Sequence, residues 1–258
     1  MHDFLIFLGV GLLAQIVDGA LGMAYGVISS TVLLAFGVSP AMASASVHAA
    51  EVFTTATAAG SHAVNRNVNW KLFVPLAVGG AVGGGLGAFV LTSVDGEMIR
   101  PFITAYLAVM GVLILYRAWR RATPKAFPAK LAGPLGLSGG FLDAVGGGGW
   151  GPTVTSAMVA SGSEPRVSIG TANTAEFFVT ATISATFLVA LLTGHWTDAE
   201  GLAKHGAAVA GLVVGGLIAA PLAGIVARKA PPRPLTIAVG VLVLSLSAYQ
   251  TAKLAGLL

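Results

Sequence analysis

Four acidic residues lie within apolar parts of the chain, and they form two pairs at a constant separation. Asp18 and Glu51 recur as Asp143 and Glu176, each 125 residues later. A carboxylate is costly to place in a membrane and normally faces the interior of a helix bundle, so each acid is a functional candidate. Removal from water also disfavours the charged form of a carboxylate. The sequence therefore predicts that Glu51 and Glu176 exchange protons.

Polar side chains accompany both glutamates at helical spacing. His48, Glu51 and Thr55 are three and four residues apart, which places them on one face of a helix. The same spacing recurs around Asn173 and Glu176. A His-x-x-Glu pair can also bind a metal, but two ligands are too few, so the sequence predicts no metal and no cofactor. The alternative role for the carboxylates is structural, as hydrogen-bond partners of the neighbouring backbone.

A glycine-rich stretch follows each of the two aspartates. The stretches cover residues 18–26 and 143–151, with Gly22 and Gly147 in matching positions. Unwound backbone at membrane depth is tolerated only where it is buried in protein or lines a water-filled cavity. A second half-helix is predicted to begin just after each stretch, where its amides and its dipole could receive an anion. Glycines that only permit close helix packing are the structural alternative.

These stretches belong to an internal duplication. When residues 18–57 are aligned without a gap to residues 143–182, twelve positions are identical. Conservative pairs, such as Tyr25 with Trp150, lie between the identities. A duplicated apolar unit with paired carboxylates is typical of transporters built around a pseudo-symmetric centre.

The composition of the chain excludes a soluble globular protein. Of its 258 residues, 55% are hydrophobic and 9% are charged, whereas about 25% are charged in soluble domains. Cysteine is absent, which excludes disulfides, thiolate metal sites and cysteine nucleophiles. Basic residues cluster in two connecting loops, at 117–130 and 228–233. Such clustering is a topology signal, so no nucleic-acid partner is predicted.

The apolar segments predict an all-α polytopic membrane protein made of two inverted repeats. Each repeat has a glycine-broken or re-entrant first element, at 4–36 or 131–161, followed by three transmembrane helices. The N-terminal repeat covers 1–119, a basic cytoplasmic linker covers 120–130, and the C-terminal repeat covers 131–258. Placing both basic loops in the cytoplasm requires this inversion. The alternative makes each broken segment one long tilted crossing, which gives eight helices and parallel halves.

The residues around both breaks are similar to those of one family. From Asp18 the chain reads Asp-Gly-Ala-Leu-Gly-Met-Ala-Tyr-Gly-Val-Ile-Ser-Ser, and Ala-Ser-Ala-Ser-Val-His-Ala-Ala-Glu-Val-Phe-Thr-Thr ends at Thr55. Over nearly its whole length the chain resembles the TauE/SafE family of sulfite and organosulfonate exporters. The resemblance implies a multi-pass permease of the bacterial inner membrane, and not an enzyme. It also implies export or import of small sulfur-containing anions, such as sulfite or sulfoacetate-like sulfonates.

Neutral donors would have to hold such an anion, because the two breaks contain no Lys or Arg. The predicted substrate-binding residues are Tyr25, Gly26, Ser29, Ser30, Ser46, His48, Trp150, Gly151, Thr153, Thr171 and Asn173. The residues assigned to the structure of the breaks are Asp18, Gly22, Asp143 and Gly147.

The sequence thus predicts a secondary carrier with alternating access, in which an anion and protons change sides at a centre between the halves. A cation carrier that uses the paired carboxylates is one alternative. An intramembrane enzyme with His48 and Glu51 as acid and base is another, although no nucleophile lies at a suitable spacing. A channel is a further alternative, and its conductance would be well above the turnover of a carrier. The predicted partners are the anion and the lipid bilayer, with a homo-oligomer left open.

Overall fold

The computed structural model describes residues 2–21, 23–119, 127–161, 163–196, 206–220 and 232–257. Every regular element within these ranges is helical. The helices are α1 (His2–Leu21), α2 (Tyr25–Ala35), α3 (Pro40–Val64), α4 (Trp70–Ser93), α5 (Gly96–Trp119), α6 (Ala132–Gly146), α7 (Ser156–Ala160), α8 (Pro165–Leu192), the described part of α9 (Gly206–Ala220) and α10 (Pro232–Leu254). A 3-10 turn (Ala129–Leu131) precedes α6, and a π-helical turn (Gly151–Thr155) precedes α7. The prediction of an all-helical membrane protein is confirmed.

Four of the described helices are long and apolar enough to cross a bilayer. These segments are Trp70–Ser93, Gly96–Tyr116, Arg166–Leu192 and Thr236–Leu254. Helix α3 has 25 residues, or about 37 Å at ~1.5 Å per residue, but it carries more polar side chains. The sequence predicts six plain crossings. Helix α3 does not meet this criterion, and the described part of α9, Gly206–Ala220, is apolar but shorter than a full crossing. Parts of the predicted linker and of the second basic loop, 120–126 and 221–231, lie outside the described residues.

Both first elements are interrupted where the glycines predict. The chain is non-helical at Met23 and Ala24, just before α2, and again at residues 147–149, between α6 and the π-helical turn. Gly147 ends α6 with a φ of 68°, a left-handed conformation that glycine adopts without steric penalty. Pro152 lies in the first turn of the second half-helix, where its missing N–H costs nothing. Gly22 lies outside the described residues.

The first helix of each half packs against a helix of the other half. A Cβ on Gly83 of α4 would stand 2.0 Å from the carbonyl oxygen of Leu137 in α6. Likewise, a Cβ on Gly215 of α9 would stand 2.1 Å from the carbonyl oxygen of Leu8 in α1. Small residues permit such close backbone approach between membrane helices. The two halves are therefore interleaved rather than laid side by side.

Helices α3 and α8, which carry the predicted glutamates, cross near their middles and run in opposite directions. Thr55 Oγ1 lies 3.4 Å from Thr180 Oγ1, and these residues are equivalent in the repeat. The turn after α3 meets the beginning of α8, where the Asn69 amide donates to Thr171 Oγ1 over 2.9 Å. Equivalent residues of the two copies therefore face each other at this crossing.

The glycine contacts between α4 and α6 generate a stability prediction. We expect Gly83→Ala to lower the free energy of unfolding by about 1–3 kcal/mol, because the added methyl would overlap the backbone of α6. The matched control is Gly85→Ala on the same helix, where the nearest atoms would lie 3.6 Å away in ordinary contact. Thermal unfolding of the purified variants in detergent measures the difference. Equal destabilisation by both substitutions would contradict the prediction.

Candidate functional site

The aspartate before each break accepts hydrogen bonds from the half-helix that follows it. Asp18 Oδ1 accepts from the amides of Ala24 and Tyr25, over 2.7 and 3.1 Å. Asp143 Oδ1 accepts from the two equivalent amides, over 2.6 and 2.9 Å. A carboxylate in this position satisfies amides that lipid cannot satisfy, and it complements the positive end of the helix dipole. Two amides at the start of each half-helix are therefore not free to bind an anion.

The two breaks contact each other closely, and a glycine lies at each contact. A Cβ on Gly26 would stand 2.5 Å from the Cα of Gly148. A Cβ on Gly151 would stand 2.4 Å from the Cα of Met23. These contacts are equivalent, because each residue of the second contact is related to one of the first by 125 positions. The breaks thus meet at one centre in a locally twofold arrangement.

His48 connects the polar helix α3 to the break of the other half. Its Nε2 lies 3.3 Å from Asp143 Oδ2, and both side chains are buried. Its Nδ1 lies 2.7 Å from the carbonyl oxygen of Ser44. Sequence analysis assigned Asp143 to the structure of the break alone and missed this pairing between the halves.

Glu51 completes a cluster with these two residues. One possible ligand atom each from His48, Glu51 and Asp143 lies within 4.8 Å of the other two. Glu51 is 5% exposed, and its Oε2 has no hydrogen-bond partner among the described residues. Its Oε1 lies against the first break, since a Cβ on Gly26 would stand 2.9 Å away. The cluster therefore combines buried groups from both halves.

The equivalent positions in the second copy differ in chemistry and in exposure. Asn173 stands in place of His48, and its buried Oδ1 has no partner within the described part of the chain. Asp18 and Glu176 are half-buried, whereas their equivalents in the first cluster are buried. The four carboxylates lie close enough to interact electrostatically across the centre. The two copies of the repeat therefore differ in side-chain chemistry and exposure where they meet at the centre.

Buried polar atoms without partners occur in and beside the breaks. Across the described ranges, such atoms near the centre include Ser29 Oγ, Glu51 Oε2, Thr153 Oγ1, Thr155 Oγ1 and Asn173 Oδ1. Buried polar groups are normally hydrogen-bonded, so such exceptions call for a water, an ion or a ligand. Four of these five were predicted as site residues, and Thr155 is equivalent to the predicted Ser30.

Other predicted binding residues have their donors engaged within the protein. Tyr25 and Trp150, which are equivalent, donate to backbone carbonyls of α9 and α8, over 3.2 and 3.0 Å. Ser30 of α2 donates to the carbonyl of Gly147 and so joins the first half to the second break. These side chains hold the centre together in this conformation.

Three more predicted residues lie beside the cluster without joining it. Ser46 and Thr171 each donate to a carbonyl one turn back in their own helix. Thr153 is half-buried in the π-helical turn. By contrast, Tyr106 of α5 was not predicted, yet a Cβ on Gly149 would stand 2.0 Å from its hydroxyl oxygen. Tyr106 lies outside the duplicated stretches 18–57 and 143–182, so the duplication offers no signal for this tyrosine.

These features define a multi-pass helical membrane protein whose two halves meet at paired broken helices. The model of the family "Sulfite exporter TauE/SafE" matches residues 7–250, so the chain belongs to this family of membrane transporters. It is similar to the probable membrane transporter protein YtnM of Bacillus subtilis (strain 168), with 40% identity over 247 residues. The aligned region covers 93% of this chain and 80% of that protein. No solved structure matches the chain. The predicted family is confirmed.

The hydrogen bonds of Asp18 generate a second stability prediction. We expect Asp18→Ala to lower the free energy of unfolding by about 0.5–2 kcal/mol, because two amides lose their acceptor. Asp18→Asn should retain most of this stability, since its amide oxygen can still accept. Thermal unfolding of both purified variants tests the difference. Equal losses would assign the effect to the charge and not to the hydrogen bonds.

Proposed function

We propose that this membrane transporter moves small sulfur-containing anions, sulfite or sulfoacetate-like sulfonates, across the bacterial inner membrane by alternating access. The substrate class follows the family description, which names sulfite export. The observation that carries the mechanism is the meeting of two broken helices at a buried polar centre. Broken helices at the interface of two repeats are where secondary transporters place their substrate sites.

Hydroxyl and amide groups would hold the anion. Ser29 and Thr155 have buried hydroxyl oxygens without partners among the described residues, and Asn173 contributes a carboxamide. Sulfite and sulfonates present several acceptor oxygens, which match hydroxyl O–H and amide N–H donors. Neutral donors bind an oxyanion only moderately, and this suits a carrier that must also release it.

The two halves are proposed to have opposite orientations in the membrane. The equivalent helices α3 and α8 run in opposite directions through the contact between Thr55 and Thr180. In inverted-repeat carriers the halves rearrange around a fixed central site, which opens it to each side in turn. In this conformation Glu176 is half-buried and Glu51 is buried. We assign this arrangement to one of the two end states of the transport cycle.

Proton coupling is assigned chiefly to Glu176. This carboxylate is half-buried and interacts electrostatically with Asp143 and Asp18. Gain or loss of its proton would change the charge beside the anion, and protonation would reduce the repulsion that an anion meets there. Glu51 is also predicted to exchange protons. Its side chain, however, is buried and lies in a cluster with His48.

Proteoliposomes that contain the purified protein and an internal pH-sensitive dye test this proposal. Sulfite or sulfoacetate gradients should drive saturable flux that is accompanied by proton movement. Glu176→Gln should abolish the proton movement, because glutamine cannot titrate. The matched control is Glu164→Gln, an exposed acid just before the same helix that pairs with Arg166 over 3.5 Å. This control should transport like the unmodified protein.

Three results would contradict parts of the proposal. Unchanged flux and proton movement in Glu176→Gln at every pH would remove this residue from the mechanism. Saturable binding of Na⁺ with no response to sulfite or sulfonates would favour the cation carrier. Conductance far above carrier turnover would favour a channel.

The inverted orientation has its own test, because the chain contains no cysteine and single cysteines can be labelled without background. Asn65→Cys lies in the exposed turn after α3, and Thr193→Cys lies at the corresponding turn after α8. In intact cells a membrane-impermeant maleimide should label Thr193→Cys, and it should label Asn65→Cys only after permeabilisation. Labelling of both variants from the same side would show parallel halves.

A further inference from the structure

We propose that His48, Glu51 and Asp143 bind one divalent transition-metal ion of the zinc class at the interface between the two halves. The three side chains are buried, and their possible ligand atoms lie within 4.8 Å of one another. This proposal goes beyond anion transport and does not depend on the identity of the transported substrate.

The hydrogen bonds of His48 determine which ring nitrogen carries the proton. Nδ1 lies 2.7 Å from the carbonyl oxygen of Ser44, which can only accept. The hydroxyl of Ser44 is 3.2 Å from the same nitrogen, but its own hydrogen goes to the carbonyl of Ala144 over 2.5 Å. Nδ1 is therefore the donor, and Nε2 of the neutral ring presents a lone pair. A backbone carbonyl on Nδ1–H is a common outer-shell arrangement for metal-binding histidines.

The lone pair of His48 Nε2 faces another acceptor. Asp143 Oδ2 lies 3.3 Å away, and its orientation is fixed because Oδ1 accepts from two amides of the break. Two acceptors in this arrangement repel each other unless a cation lies between or beside them. The choice is therefore between a proton and a metal ion.

The separation of these two atoms fits a shared metal ion. His48 Nε2 and Asp143 Oδ2 lie 3.3 Å apart, at the long end for the hydrogen bond that a shared proton would make. Two ligands at ~2.0–2.1 Å from a tetrahedral zinc ion lie about 3.3–3.4 Å apart. The observed distance matches the edge of such a tetrahedron.

Glu51 supplies a third ligand and adds to the need for positive charge. Its Oε2 is buried and has no hydrogen-bond partner in the described part of the chain. The arginine ion pairs within the described ranges involve Glu97 and Glu164, which leaves the cluster without an arginine. The negative charge of two buried carboxylates must be neutralised by positive charge, and a divalent ion supplies that charge. Three protein ligands would leave one tetrahedral position for water or an oxyanion.

The second copy provides no equivalent ion site. Asn173 replaces the imidazole of His48, so the proposal predicts one ion per chain and not two. A metal ion on Glu51 would displace its proton, and Glu176 would then remain as the proton carrier of the pair.

The test measures metal binding directly. The protein is purified with a histidine-free tag, stripped with a chelator and equilibrated with Zn²⁺ or Co²⁺ alone. Elemental analysis should find one zinc ion per chain, and Co²⁺ should give the visible absorption of a tetrahedral site. Since the chain has no cysteine, thiolates cannot contribute to either signal.

Matched variants localise the ion. His48→Asn introduces the residue that the second copy already carries, and Asp143→Asn retains an oxygen that can accept from the two amides. Loss of an outer-shell partner alone costs about 10–100-fold in metal affinity, so loss of either ligand should weaken zinc binding by at least about tenfold. His62→Asn, the same substitution near the end of the same helix, should leave zinc binding unchanged. Gel filtration and thermal unfolding establish that the variants are folded.

Two outcomes would overturn the proposal. Equal zinc binding by the unmodified protein and His48→Asn would place the ion elsewhere. Absence of the tetrahedral cobalt spectrum in the unmodified protein would show that the cluster holds a proton and not a metal ion. This result does not depend on whether the variants fold. Neither outcome bears on sulfite flux, so failure of the metal site and failure of the proposed transport function are distinguishable.

Discussion

Lipid offers no hydrogen bonds to a broken helix, and this constraint organises the centre of the molecule. The chain meets it with two carboxylates, since Asp18 and Asp143 each accept from two amides of the next half-helix. Ser30 adds a bond from one half to the break of the other. Because these partners come from within the protein, irregular backbone can exist at membrane depth without contact with lipid. A polar centre then becomes available for transport.

Close packing makes the halves depend on each other. The first helix of each half lies against a glycine-bearing helix of the other, where the backbones approach too closely for a side chain at Gly83 or Gly215. In lipid, where apolar burial contributes little to helix association, such packing and hydrogen bonds hold helices together. The two halves therefore pack as one unit and not as independent domains.

The duplication produces two similar sites with different chemistry. The aspartates, glutamates and break glycines recur, but His48 has Asn173 as its counterpart. An imidazole can accept a proton or ligate a metal ion through its lone pair, whereas a carboxamide does neither with comparable strength. One site is consequently suited to hold a cation, while the other keeps a half-buried glutamate and a neutral amide. This difference gives the two copies separate roles within one proposed transport cycle.

The sequence by itself determined the helical membrane class, the positions of both breaks and the family, and it singled out the four acids of the repeat. These properties depend on local composition and on the spacing of residues that are close together along the chain. They do not depend on how the helices pack. Only the tertiary structure decided that His48 faces Asp143, that Tyr106 lies against the second break, and that the halves are interleaved. Such contacts join segments that are far apart along the chain. Their pairing depends on which helix faces become neighbours when the glycine-bearing helices pack. No local pattern specifies that choice.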